Sequence, residues 1–292
     1  MINMKNVINY YYGIEVNQFK KKQNSFLFCI ENNEYEFVEY YEDINVLLNI
    51  YSILKSYRKE VDELIINIKN EYLTFYDGKT YILLKKKQCH NRIVSLHDII
   101  DFNCYIYIKE SLSWKVLWER KIDYYELQIK ENKLKYPLLN QSSSYYLGLS
   151  EIAINLLNYV DYKNIKYCIS HKRLNNLKNI YNPINIIIDN RTRDIAEYIK
   201  MKFFDDSINM GEIINFIDSM VLNKDEIILL LSRLIYPSYY FDIYDEIYKN
   251  QEEIKELNKI IKKNLEYEAF LKKLYSRIKK MYKIFKIEFL EY

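Results

Sequence analysis

The sequence predicts an α+β protein in two parts: a small antiparallel β-rich part over residues 1–87 with one helix, and a larger helical part over residues 88–292. Runs that alternate apolar and polar residues are concentrated in the first part, whereas apolar residues at helical spacing dominate the second. A chain of 292 residues with 49% hydrophobic and 28% charged residues has the composition of a globular protein. This length allows one large domain or two lobes.

The first part contains two predicted hairpins with a helix between them. Residues 25–40 form two short alternating runs around a polar turn, and residues 72–84 form a second pair that turns at Asp77-Gly78. Residues 43–57 carry apolar side chains at helical spacing. The predicted order is therefore strands, one helix, strands.

The second part begins after a basic polar link over residues 85–90. Amphipathic patterns at residues 112–129, 150–160 and 210–220 predict helices. Asn223 and Glu226 have the spacing of a capping box at the start of a further helix. Residues 251–292 carry a net charge of about +4 and apolar residues three and four apart, which predicts a long basic amphipathic helix that closes the fold.

Bulk properties exclude several classes of function. The net charge of +3 is too small for a general nucleic-acid-binding protein. No apolar run reaches the length of about 18 residues that a membrane helix needs, so we expect no transmembrane segment and synthesis in the cytoplasm. The chain has four glycines in all, which disfavours a glycine-rich phosphate loop. The four cysteines lack the spacing of a zinc site and predict reduced thiols; they are Cys29, Cys89, Cys104 and Cys168.

One stretch of the helical part has the pattern of a catalytic region. A strand-like block contains His171 and Arg173, a second apolar run ends in Asp189, and Asp194 follows in an Asp-Ile-Ala segment. A carboxylate at the end of a strand is a common position for a metal ligand, but Asp there is also a common turn or cap residue. A lone histidine such as His171 is more often a core residue than an acid or base. His90 and His97 have no carboxylate motif beside them and receive no role.

This order of parts resembles the protein-kinase-like fold of aminoglycoside and choline phosphotransferases. Several blocks also resemble the YutH-type spore coat protein family; they are Leu117-Trp-Glu-Arg-Lys-Ile-Asp-Tyr-Tyr125, Tyr136-Pro-Leu-Leu139, Tyr145-Tyr-Leu-Gly-Leu-Ser150, Arg193-Asp-Ile-Ala-Glu-Tyr-Ile199 and Arg233-Leu-Ile-Tyr-Pro-Ser-Tyr-Tyr-Phe-Asp242. The resemblance implies a two-lobed kinase-like fold. It covers residues 110 to 250 best.

The resemblance also implies a degenerate catalytic loop. In the phosphotransferase pattern His-Gly-Asp, His171 matches the histidine, but Arg173 stands where the catalytic aspartate is expected. Arginine has no acceptor lone pair and cannot take a proton from a hydroxyl. The phosphotransferase pattern expects a metal-binding asparagine at the position where this chain has Lys178, and Asn176 and Asn179 lie out of register with that position. Asp189 matches a metal-binding aspartate, here a vestigial site, and the resemblance gives Asp194 a structural role.

The nucleotide-binding elements of the family are missing as well. Residues 20–24 form the turn between the first strands and contain no glycine, and residues 35–40 contain no lysine. Glu36 and Glu39 would repel a triphosphate unless they face away. If the mapping is right, Arg173 pairs with Asp189 or Asp194, or points outward to an anionic partner.

These observations favour an inactive kinase-like protein, a pseudokinase, that binds other proteins during spore coat assembly. We expect no catalytic residues, no cofactor, and a location in the spore coat. The main alternative is an active small-molecule or protein kinase that uses ATP and Mg²⁺ with displaced groups, for example Asp189 with Asp205 or Asp206. A third possibility is a regulator that binds nucleotide without transfer.

Overall fold

A computed structural model describes residues 4–22, 24–87, 95–102, 104–106, 114–131, 136–174, 180–250 and 254–291. The chain divides into two compact units. The first contains Met1–Cys104 and His171–Ile187, and the second contains Tyr105–Ser170 and Ile188–Tyr292. The sequence placed a single boundary at residue 87, whereas the chain returns to the first unit at His171 and leaves it again after Ile187.

The first unit is an antiparallel sheet with helices. The elements are α1 (Met4–Tyr12), β1 (Lys20–Lys22), β2 (Ser25–Ile30), β3 (Asn33–Glu39), α2 (Ile44–Ser56), β4 (Glu63–Ile65), β5 (Thr74–Tyr76), β6 (Lys79–Lys85) and α3 (Leu96–Phe102). The sheet has the order β1-β2-β3-β6-β4, and β5 also pairs with β6. Both predicted hairpins and the helix between them are confirmed. Helix α1 and strand β4 were not predicted.

Two tight turns set the register of the hairpins. Glu31 and Asn32 have φ values of 47° and 66°, and Asp77 and Gly78 have values of 51° and 70°. Positive φ at both central residues is the geometry of a type I′ turn, which matches the twist of antiparallel strands. Asn, Asp and Gly adopt this conformation at low cost, and their presence in the sequence therefore predicted the turns.

Strand β6 is buried on both faces of the sheet. Tyr81 and Leu83 pack in a cluster with Val7 and Ile8 of α1, whereas Ile82 and Leu84 pack in a cluster with Leu47 and Tyr51 of α2. Successive side chains of a strand point to opposite faces, so a continuous apolar run serves both clusters. Helix α2 begins at a cap in which the carboxylate of Asp43 accepts a hydrogen bond from the backbone nitrogen of Asn45.

The second unit is mainly helical. It contains β7 (Tyr105–Ile106), α4 (Lys115–Glu131), α5 (Pro137–Leu157), α6 (Thr192–Phe204), α7 (Met210–Ser219), α8 (Lys224–Ile235), α9 (Ser238–Asn250), α10 (Ile254–Lys262) and α11 (Asn264–Tyr282). Strands β8 (Tyr167–His171) and β9 (Ile186–Asn190) form a three-stranded sheet with β7 in the order β7-β8-β9.

Helix α8 is the core of this unit. Every residue from Glu226 to Ile235 is buried, and the helix packs on α5, α6 and α11. The predicted capping box is present: Asn223 accepts from the backbone nitrogen of Glu226, and the carboxylate of Glu226 accepts from the backbone nitrogen of Asn223.

The prediction of one long closing helix is wrong. Residues 254–282 form two helices, α10 and α11, which are separated at Lys263, and the residue after α11, Lys283, has the left-handed conformation with φ of 49°. The apolar pattern continues through both helices and contains no glycine or proline at the break, so it did not reveal the separation. Among the described residues, no helix is long and apolar enough to span a membrane.

Candidate functional site

Asp189 lies next to the last residue of strand β9, and its side chain is fully buried. The apolar residues before it form the strand, as predicted. The residues after Asn190 turn directly into α6, whose first turn contains Arg193 and Asp194. The short connection brings Arg193 back toward the carboxylate four residues earlier in the chain.

Five hydrogen-bond donors surround the Asp189 carboxylate. Oδ1 accepts from the indole Nε1 of Trp114 at 2.9 Å and from the backbone nitrogen and Nδ2 of Asn190 at 2.7 and 2.8 Å. Oδ2 accepts from Nη1 of Arg193 at 2.7 Å and from Nη2 of Arg233 at 2.8 Å. Both guanidiniums are buried, so these are charge-assisted contacts in a region of low dielectric.

Aromatic rings hold the two arginines beside Asp189. The guanidinium carbons of Arg193 and Arg233 lie 5.0 and 5.1 Å from the ring centroid of Trp114. Arg233 also lies 5.8 Å from the centroid of Trp118, whose indole stacks on Tyr236 at 4.1 Å. Cation–π contacts of this kind stabilise a cation that has lost its water. The cluster of Asp189, Arg193, Arg233 and Trp114 is named the Asp189 cluster below.

The charges of the cluster determine the ionisation of Asp189. Burial by itself would raise the pKa of the carboxyl group. The guanidiniums of Arg233 and Arg193 outweigh burial and lower the pKa below its ordinary value. Asp189 is therefore a carboxylate at neutral pH, and its charge is neutralised by the protein itself.

The site does not fit Mg²⁺. A carboxylate offers about four lone-pair positions, and five donors already occupy those of Asp189. Magnesium requires a near-octahedral set of oxygen ligands and is repelled by adjacent cations. Within the described ranges, no group of three or more His, Cys, Asp or Glu side chains is arranged to hold a metal ion.

A second buried ion pair lies at the start of α8. Arg191 donates from Nε to Oε1 of Glu226 at 2.7 Å and from Nη2 to Oε2 at 2.5 Å. The same guanidinium donates to the carbonyl oxygens of Met220 and Val221, each at 3.3 Å. Glu226 was predicted as a cap residue, and its second role as the partner of Arg191 was missed because the two lie 35 residues apart.

The loop with His171 lies in the first unit and is tied to its own surroundings. His171 is fully buried, its Nε2 lies 3.0 Å from the carbonyl oxygen of Ile180, and its ring lies 5.1 Å from that of Phe102. Asn185 clamps the loop: its Oδ1 accepts from the backbone nitrogen of Arg173 at 3.1 Å and its Nδ2 donates to the carbonyl oxygen of Arg173 at 2.8 Å. No sequence motif pointed to Asn185.

Other predicted positions have mixed outcomes. The guanidinium of Arg173 donates to the carbonyl oxygen of Lys172 at 2.9 Å, and its pairing with Asp189 or Asp194 stays a prediction. Asp194 is fully buried in the first turn of α6, and its structural role also stays a prediction. Lys178, Asn176, Asn179, His90 and the side chain of His97 lie outside the described residues.

In the described part of the first unit, β3 and α2 do not carry the charged pair that kinases use to orient a nucleotide. Strand β3 contains no lysine, and helix α2 contains no acidic residue. A lysine on the third strand and a glutamate on the following helix form an ion pair in active protein kinases. Glu36 contacts Lys86 at 3.1 Å, and Glu39 contacts Lys79, so each of these carboxylates has a lysine partner.

Comparisons with known proteins agree with the fold. A family model described as "Spore coat putative kinase YutH" matches residues 5–274. The endospore coat-associated protein YutH of Bacillus subtilis (strain 168) is 26% identical over 313 residues, which cover 92% of this chain and 91% of that protein.

Solved structures of phosphotransferases are similar in fold. Spectinomycin phosphotransferase in complex with ADP and spectinomycin matches with a TM-score of 0.59 and 14% identity, over 99% of this chain and 95% of that one. An aminoglycoside phosphotransferase from Alicyclobacillus acidocaldarius matches with a TM-score of 0.55 and 11% identity, over 96% and 97% of the two chains. At these identities the likeness shows the fold alone, and it confirms the predicted kinase-like α+β class.

Proposed function

The chain belongs to the YutH spore coat family, and we propose that it is a catalytically inactive, kinase-like protein that binds other proteins during spore coat assembly. The observation that carries this proposal is the Asp189 cluster. The position that matches the metal-binding aspartate of phosphotransferases holds two guanidiniums in place of a metal ion. Transfer of a phosphoryl group needs metal ions that bridge the phosphates and neutralise developing charge.

The loss of the other catalytic groups supports the same proposal. Arg173 stands at the position of the catalytic base, and a permanent cation without a lone pair cannot accept a proton. The absence of a lysine from β3 and of an acid from α2 removes the ion pair that orients the nucleotide in kinases. Each loss affects a different step, so a single compensating group would not restore transfer.

The relatives of the chain support protein binding as its activity. The relative from Bacillus subtilis is described as endospore coat-associated, which supports a location in the coat and protein partners there. The net charge of +3 does not favour nucleic acid as the partner. The runner-up is an active kinase that uses ATP and Mg²⁺.

An assay of purified protein with ATP and Mg²⁺ tests the proposal. We expect no turnover from the wild type and none from Arg173→Asp, because the lysine, the acid and a free metal ligand are still missing. Turnover by the wild type that disappears in Asp189→Ala would overturn the proposal. The variants are compared at a temperature at which their tryptophan fluorescence is that of the native protein. A rise in melting temperature with ATP but without product would instead indicate a nucleotide-binding regulator.

A fluorescent fusion in the native cell tests the coat role separately. We expect the fusion to accumulate around the forming spore. A diffuse signal throughout growth that never reaches the spore would contradict the coat role and leave the question of inactivity to the biochemical assay.

A further inference from the structure

Helix α4 has apolar side chains on two opposite faces. One face packs on the body of the second unit: Trp118 stacks on Tyr236 at 4.1 Å, and Tyr125 stacks on Phe241 at 4.2 Å. Ile122 is buried on the same side. At 100° per residue, these three positions lie within about 60° of each other. This face accounts for the position of the helix in the fold.

The opposite face of α4 is apolar and exposed. Val116, Leu117, Tyr124 and Leu127 have 52%, 42%, 49% and 53% of their surface exposed. On a helical projection they lie within about 100° of each other, together with Arg120 and Glu131. Positions 117, 120, 124, 127 and 131 alternate in steps of three and four, which is the spacing of a helix that packs against another helix. These six residues are named the α4 stripe.

We propose that the occupant of the α4 stripe is the α4 stripe of a second copy of this chain, in antiparallel orientation. An antiparallel helix pair places the residues of one stripe opposite those of the other about a two-fold axis. If the axis passes between residues 125 and 126, Tyr124 meets the partner's Leu127, and Arg120 meets the partner's Glu131. Each contact occurs twice because of the symmetry.

The charges of α4 support this register. Arg120 and Glu131 are both exposed, and neither has an ion-pair partner in the part of the chain that the structure describes. They lie about 16 Å apart along the helix, so they cannot pair within one chain. In the proposed register they pair across the interface, and Asp123 also meets the partner's Lys130 on the flank of the stripe.

A neighbouring register is less favourable. Moving the axis to residue 122 would place Leu117 opposite the partner's Leu127. It would also place Asp123 beside the partner's Asp123 and Lys121 beside the partner's Lys121. Like charges that face each other across an interface are unfavourable. Of these two registers, complementary charge therefore favours the axis between residues 125 and 126.

The size of the α4 stripe determines how strongly the proposed dimer should associate. A standard stable interface buries about 800 Å² on each partner, and one helical stripe supplies less than this. We therefore expect a weak dimer that dissociates on dilution. Dimerisation does not depend on the proposed lack of catalysis and would hold for an active kinase as well.

Sedimentation equilibrium over a range of concentrations tests the dimer. The wild-type mass is expected to rise from that of the 35.8 kDa monomer toward twice this value. Leu127→Glu should remove the rise because it places carboxylates within the apolar contact. Leu265→Glu is the matched control, since Leu265 is 79% exposed at the start of α11 and lies outside the stripe. A wild type that stays monomeric, or a dimer that survives Leu127→Glu, would overturn the proposal.

Charge exchange tests the register. Arg120→Glu and Glu131→Arg should each weaken the dimer about tenfold or more, because each creates two like-charge contacts. The double variant R120E/E131R should restore the wild-type affinity, since both pairs are rebuilt with exchanged signs. These residues are exposed, so thermal melts should show that all variants are folded. Failure of the double variant to recover, or no effect of Glu131→Arg, would refute the proposed register.

Discussion

Replacement of Asp189 by asparagine separates a structural role of this residue from a metal-binding one. The change preserves shape but removes the negative charge that Arg193 and Arg233 share. All five groups around the carboxylate are donors, so the new amide nitrogen has no acceptor to bind. Breaking a buried ion pair by removing one partner costs about 3–5 kcal/mol, and we expect Asp189→Asn to lower the free energy of unfolding by this amount.

Tryptophan fluorescence is the appropriate measurement because Trp114 belongs to the Asp189 cluster and the second tryptophan of the chain, Trp118, contacts Arg233. Urea unfolding of the wild type and of Asp189→Asn gives the difference. Asp206→Asn is the control: Asp206 pairs with Lys263, but its side chain is 75% exposed, and such pairs contribute about 0–1 kcal/mol. Adding Arg233→Met to Asp189→Asn should cost less than the sum of the two single changes, since it removes one uncompensated cation.

The pH dependence gives a second test of the same pair. The pKa of Asp189 in the folded protein lies below its ordinary value of about 4. Its stabilising effect is therefore fully present above the ordinary pKa and is lost as the pH falls through the folded pKa. The stability difference between the wild type and Asp189→Asn should shrink as the solution is acidified below about pH 4. A loss of less than about 1 kcal/mol at pH 7, or a difference that persists in acid, would refute the structural role.

Three further predictions concern other parts of the chain. Glu226→Ala should lower the free energy of unfolding by about 3–5 kcal/mol, because it leaves the buried Arg191 without its partner, and urea unfolding with a loss under about 1 kcal/mol would contradict this. Val221 has φ of 47°, a strained conformation for a β-branched residue, and its side chain is 81% exposed. Val221→Asn should therefore stabilise the protein by about 1 kcal/mol. An unchanged midpoint of urea unfolding would contradict backbone strain at this position. Burial raises the pKa of the Cys168 thiol, which makes it less reactive. A thiol reagent should therefore label exposed Cys29 in the native protein and Cys168 only after unfolding. Labelling of Cys168 in the native protein would contradict this prediction and show that the structure around strand β8 opens readily.

Local interactions explain why much of the fold was predictable from the sequence. The turn at Asp77-Gly78 and the capping box of Asn223 with Glu226 each involve residues within a few positions of one another. Alternation and helical spacing are equally local. Strand β4 was missed because its three residues are too few to show alternation, and it is defined by its pairing with β6.

The candidate site also combines features that local sequence predicts with features that depend on residues far apart in the chain. The apolar run that ends in Asp189 was enough to predict a strand there, and the resemblance to phosphotransferases led to the prediction that Arg173 stands where a catalytic base is expected. The groups that surround the carboxylate became known from the structure, because Trp114 and Arg233 reach it from 75 and 44 residues away. Side chains so far apart in the chain meet through the packing of α4, α6 and α8, and the spacing of residues within each helix does not predict this packing. Sequence periodicity shows which face of a helix or strand is apolar. The hydrogen-bond donors around a buried carboxylate come from separate elements, so they depend on how those elements pack against one another.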